Sequence, residues 1–238
     1  MAHIERTVSS SIGITDAVSV ATRHYLSSEH LWSARHNAQR CRQLEDELAG
    51  KKDFDIEHRT SAMTSILAAV AFLEALVNET FQDAADTRHV SDRVSPLTDQ
   101  CRALMSEFWQ ATKNGERYRL LEKYQMALLF AQEERFDTGA NPYQDASDLV
   151  FLRNKLVHFR PAWQEWGKPD EVENRLKSKF DPSAFLSGTG NPWFPDKAIG
   201  AGCAEWACTS SRSFADAWTE RLGIPRAYEA DLKHWDSQ

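Results

Sequence analysis

The sequence predicts an all-α fold, a helical bundle, on three observations. Apolar residues recur at three- and four-residue spacing along most of the chain. Glycine and proline are few, 10 and 8 in 238 residues, which disfavours a turn-rich β fold. No alternating run of β-branched residues is long enough to mark a strand. With 42% hydrophobic and 11% aromatic residues, the chain can bury a sizeable core as one large domain or one domain with appendages.

Residues 1–13 read as disordered or loosely attached. A first helix is expected from about Asp16 to Leu48, where Val18, Ala21, Tyr25, Leu31 and Trp32 form an apolar stripe before Ala49-Gly50. A second runs from about Glu57 to Asp83. It is apolar on most of its surface through Ile66, Val70, Phe72, Leu73, Leu76 and Val77, as a central bundle helix must be. Residues 84–98 read as a loop or short helix. Amphipathic helices follow at 101–112 and 117–135, and Thr138-Gly139-Ala140-Asn141-Pro142 marks a turn. A helix from about Gln144 to Phe159 carries Leu149, Leu152, Leu156 and Phe159 as its core stripe, with Asp145 and Asp148 near its positive end. After Pro161 come Trp-rich loops, a short charged helix ending near Phe180, and a last long helix from Ala198 to Leu222. The organisation expected is an N-terminal helix (1–56) packed on a bundle (57–161), with a C-terminal helical extension (162–238) in the same domain.

The net charge of −7 argues against salt-driven coating of nucleic acid, but leaves room for a small basic pocket around one phosphate. Cys41, Cys101, Cys203 and Cys208 form no Cys-x-x-Cys pair and read as free thiols of a reducing cytoplasm. Residues 1–20 lack a secretory core. The most apolar run, around Ile66–Leu73, falls short of the roughly 20 residues a membrane span needs.

Chemistry concentrates in Arg153-Asn154-Lys155-Leu156-Val157-His158. A guanidinium can fork onto phosphate oxygens, and an imidazole can move a proton near neutral pH. Asn154 and His158, four apart, share a helix face. Arg153 and His158 differ by five positions, about 140° around the helix. Arg153 must therefore reach round to a phosphate held by His158, or meet one across a dimer. A purely structural alternative pairs Arg153 with Asp148 while His158 caps carbonyls.

Arg153-Asn154-x-x-x-His158, near the end of a core helix, resembles the Arg-x4–6-His motif of the HEPN superfamily, helical bundles that include many metal-independent endoribonucleases. Phe72-Leu73-Glu74-Ala75-Leu76-Val77-Asn78-Glu79 resembles that family's first core helix, and the looser likeness spans about 57–160. The resemblance implies a homodimer in which two motifs meet in one cleft and cleave RNA without metal or other cofactor, in a toxin–antitoxin or phage-defence setting. Arg153 would neutralise the scissile phosphate, His158 would act as general base or acid, and Asn154 would orient either. Glu74 and Asn78, four apart on the most buried helix, need partners if buried and read first as structural; Arg153 as the partner of Glu74 would instead make them supports of the site. An antitoxin or other protein partner is also expected; a membrane or a metal is not. The competing class is a non-catalytic bundle that binds a nucleotide or a protein.

Other clusters read as structural. His24, His30 and His36 each fall about 120° from the last and cannot converge on one metal. Cys203 and Cys208 lack two further ligands. Trp163, Trp166, Trp193 and Trp206 read first as packing residues, and Gly188-Thr189-Gly190 lacks the context of a phosphate loop.

Overall fold

The computed structural model describes residues 3–8, 18–50, 53–163, 167–183, 185–186 and 188–237. Its body is helical: α1 (Ser27–Glu47), α2 (Ile56–Ala84), α3 (Asp99–Ala111), α4 (Leu120–Ala131), α5 (Tyr143–Val157), α6 (Glu171–Leu176), α7 (Ala201–Leu222) and α8 (Ala227–Trp235), with an irregular helical turn at Trp193–Lys197.

Two expectations at the N-terminus are corrected. Strands β1 (His3–Val8) and β2 (Val18–Arg23) pair antiparallel, with Ile4 opposite Thr22, Arg6 opposite Val20 and Val8 opposite Val18. Each strand is only six residues long, and β-branched residues recur in both, the composition a pleated ribbon favours. Residues 18–26, expected in the first helix, therefore belong to β2 and its exit, while residues 1–2 and 9–17 lie outside the described residues. At the other end, α8 was not foreseen: nine residues anchored by buried Tyr228 and Leu232, one turn apart.

Helices α1 and α2 form an antiparallel hairpin, and α7 packs across both. Small residues make this close approach feasible: Ala34, Ala38, Ala62, Ala69, Ala204 and Ala207 are all buried there. The Ser65 hydroxyl bridges the helices, 2.9 Å from the Ala34 carbonyl and 3.3 Å from that of Ala204. Helices α4 and α5 also pack on α2 and α7, where Tyr124 sits edge-on to both Phe214 and Trp218. Its hydroxyl donates to the Leu73 carbonyl at 2.6 Å, and Trp218 Nε1 donates to the Tyr124 carbonyl at 3.2 Å. Among the described residues, α2 alone is long and apolar enough to cross a membrane, more than the sequence reading allowed. Ile66, Ala69, Phe72, Leu73, Val77 and Phe81 are nevertheless fully buried among the other helices, as in a core helix.

Local signals explain the helix ends. Asp55 and Thr98 cap α2 and α3 by accepting from the amides of His58 and Cys101. Gly223, at φ +65°, closes α7 in the left-handed conformation that glycine tolerates. The α1 N-terminus has no cap of its own and borrows one from α2. Glu79 Oε1 accepts from the amides of Leu26 (2.7 Å) and Ser27 (2.9 Å), while Oε2 accepts from Ser27 Oγ (2.6 Å) and Arg93 (2.8 Å). One turn on, the fully buried Asp83 accepts from the Tyr25 hydroxyl at 3.0 Å and lies 3.3 Å from Arg23 and 3.4 Å from Arg93. A carboxylate at a helix N-terminus complements its dipole, and two guanidiniums offset the burial of a second.

Candidate functional site at the end of α5

Ala146, Leu149 and Leu152 bury one face of α5 against the bundle, and Leu156 packs partly against it. The helix then stops at Val157, two residues sooner than the expected Phe159. Phe159 consequently leaves the core stripe. It is 51% exposed, with its ring tilted against Phe194 at 6.3 Å between centroids. Pro161 explains the early stop, because it disfavours helical geometry at Arg160.

His158 caps this end, its amide donating to the Asn154 carbonyl at 2.9 Å. The His158 and Asn154 side chains are exposed and line one cleft of about 600 Å³. Phe151, Phe159, Trp163 and Phe194 supply aromatic walls, and Lys155, Arg160, Asp170 and Glu171 add charge. Short helix α6 docks beside α5 through three cations. Arg175 Nε donates to Asp148 at 2.5 Å, Lys179 meets Asp145 at 2.7 Å and Asp148 at 3.2 Å, and Lys155 meets Glu171 at 2.5 Å.

Arg153 does not line this cleft. It is half-buried, and its Nε is buried without a hydrogen-bond partner among the described residues. The expected alternative pairing with Asp148 is not formed either, since Arg175 and Lys179 hold that carboxylate. Within one chain, then, Asn154 and His158 come together and Arg153 stands apart, as the 140° separation implies.

Glu74 and Asn78 also find a different partner. Lys123 of α4, buried between helices, reaches Asn78 Oδ1 at 2.9 Å and Glu74 Oε1 at 3.4 Å. The expected Glu74–Arg153 link is therefore corrected to Glu74–Lys123, and the Glu74 side chain is 44% exposed rather than buried. Spacing within α2 identified Glu74 and Asn78 as neighbours, but it could not say which helix brings the cation.

Two residues of the cleft were missed in the sequence. Arg160 carries a guanidinium into the cleft of His158, and Phe159 presents a ring there. Their signal was Pro161, which ends the helix early and redirects both. Among the other clusters, His36 is exposed and stacks on Trp32. Cys203 is fully buried, and Cys208 lies 3.5 Å from the Ser65 hydroxyl. Trp193 and Trp206 pack on Phe180, Trp163 is fully exposed in the cleft, and Trp166 lies outside the described residues.

The arrangement offers an exposed imidazole, an amide on the same face, a nearby guanidinium and flat apolar walls. Such a set can hold an anionic, aromatic ligand and transfer a proton to it or from it. Comparison with family models, curated proteins and solved structures found no match.

Proposed function

We propose that the chain is a HEPN-like, metal-independent endoribonuclease of the toxin–antitoxin or phage-defence kind, working as a homodimer in the cytoplasm. The observation that carries this reading is His158 standing exposed in a cleft beside Asn154, at the end of a helix whose other face is locked in the core. His158 acts as general base on a ribose 2′-hydroxyl or as general acid on the leaving 5′-oxygen. Attack by the 2′-oxygen on phosphorus, with loss of the 5′-oxygen, leaves a 2′,3′-cyclic phosphate. Asn154 orients the imidazole or hydrogen-bonds a phosphate oxygen.

The phosphate-neutralising cation comes from Arg153 of a second protomer, consistent with its absence from the cleft of its own His158; Arg160 assists from the same chain. Mixing inactive Arg153→Ala and His158→Ala chains tests this arrangement. If the two residues act across the dimer, each mixed dimer holds one intact site and activity returns. If they act within one chain, it does not.

The separation of Arg153 from the cleft also favours a second reading, a non-catalytic module that binds a nucleotide or protein. An RNA cleavage assay with EDTA separates the two. The nuclease reading expects wild type to cut and His158→Ala to lose about 100- to 10,000-fold in rate. Absence of cutting by all forms, with nucleotide binding retained, supports the module.

A further inference from the structure

A second group of reactive side chains lies at the opposite end of the α1–α2 hairpin from the Glu79 cap. Cys41 and Glu45 stand one turn apart on α1, so both project from one face. His58, in the first turn of α2, meets them across the hairpin. The Cys41 sulfur, a Glu45 oxygen and a His58 nitrogen lie within 4.8 Å of one another, and all three residues are buried. Such convergence of three different donors does not follow from the packing of apolar faces.

The surroundings point the same way. Glu45 Oε1 is 2.8 Å from His58 Nε2 and accepts from the Ala201 amide at 3.0 Å, while Oε2 accepts from Arg42 at 3.1 Å. Cys41 Sγ makes a long contact, donating to the His58 carbonyl at 3.6 Å. Ser183, 1% exposed, has a hydroxyl without a partner among the described residues. Gly200 admits Ser183 to the cluster: a Cβ at that position would lie 2.6 Å from Ser183 Cβ and 2.8 Å from Glu45 Oε1. A cavity of about 10 Å³, near the size of one water, is lined by His58 and Ser183 on the side of the cluster away from Cys41 and Glu45, which do not line it. A buried orphan hydroxyl beside a small cavity is a mark of a missing water or ion.

We propose that Cys41, Glu45 and His58 form a structural zinc site that fastens α1, α2 and the start of α7, with a water or the Ser183 hydroxyl in the fourth position. A sulfur, nitrogen and oxygen donor set suits zinc and excludes magnesium or calcium, which take oxygen ligands. Ligand atoms of a tetrahedral zinc site stand roughly 3.3–3.7 Å apart, so the 2.8 Å Glu45–His58 pair must open by about half an ångström while the wider separations, all within 4.8 Å, close. On binding, the Cys41 thiol releases its proton to solvent and becomes the thiolate ligand. His58 Nε2 gives up the proton it shares with Glu45, to Nδ1 or to solvent, and binds the ion with its one remaining proton on Nδ1. Thiolate and carboxylate then balance the charge of the ion, and no electron changes hands. The residues are absent from the α5 cleft, so this site is independent of the ribonuclease reading.

The test uses the tag-free full chain, stripped by chelator under reducing conditions and titrated with Co²⁺ and then Zn²⁺. The proposal expects one equivalent per chain, a thiolate-to-cobalt charge-transfer band that zinc abolishes, and a rise in Tm on the order of 10 °C at a thousandfold excess over Kd. Cys101→Ala, on α3, retains the band, and Cys41→Ala loses it. Because the band is read on the wild-type chain, the test survives misfolding of Cys41→Ala. A wild-type chain with neither band nor Tm shift overturns the proposal and leaves Glu45–His58 as a plain ion pair. A band that persists in folded Cys41→Ala overturns it equally.

Discussion

The junction at the end of α2 and the cleft at the end of α5 are both rich in polar side chains, but they use them differently. Around Glu79 and Asp83 the carboxylates are enclosed by Arg23, Tyr25, Arg93 and the α1 N-terminus; three of their four oxygens accept hydrogen bonds, and among the described residues Asp83 Oδ2 has only the 3.4 Å ion pair with Arg93. Around His158 the polar groups face solvent among exposed rings, and the helix behind them is held by Leu149 and Leu152. The first pattern stabilises a fold. The second leaves side chains free to meet a ligand, at little cost to the helix that carries them.

Substitutions can break or sharpen this contrast. The largest stability effect belongs to the junction. Glu79→Ala uncaps α1 and leaves Arg93 with Asp83 as its remaining carboxylate, and is expected to cost about 2–4 kcal/mol in urea unfolding. Loss of stability below ~1 kcal/mol would place the junction with ordinary surface ion pairs. Tyr124→Phe removes one buried hydrogen bond to Leu73 while keeping the ring packing, and is expected to cost about 1 kcal/mol. Asn154→Ala and His158→Ala are expected to stay within about 0.5 kcal/mol of wild type, because both side chains are exposed. A large destabilisation by either would mean that the cleft residues serve the fold.

The smallest effect is in pH dependence. Burial pushes the Asp83 carboxyl up, against the opposing pull of Arg93, Tyr25 and Arg23. The folded chain therefore holds this proton more readily than the unfolded chain. The contribution of Asp83 to stability falls as pH rises from the ordinary carboxylate value of 3.8 through its raised folded value. Asp83→Asn should flatten that part of the Tm-against-pH curve; an unchanged slope would assign it to other groups.

The same contrast explains what was legible in the sequence. Helices α2, α5 and α7 announce themselves because burial imposes a 3.6-residue period on their apolar positions, although α5 ends at Val157, two residues before the expected Phe159. Strands β1 and β2 escape because six residues each are too few for an alternating pattern to stand out, and α8 because it has only two buried anchors. Asn154 and His158 were legible as neighbours because helical spacing alone joins them. Lys123 beside Glu74, Arg160 beside His158 and the Cys41–Glu45–His58 group were not. Each depends on which elements abut, and spacing along a single helix does not encode that.

The most direct test of the central claim is cleavage of a defined single-stranded RNA in EDTA by wild type and His158→Ala, with product ends identified by mass. The account predicts 2′,3′-cyclic phosphate ends from wild type and a loss of about 100-fold or more in the folded His158→Ala chain. Equal cleavage by the two chains, or none by either, would contradict it.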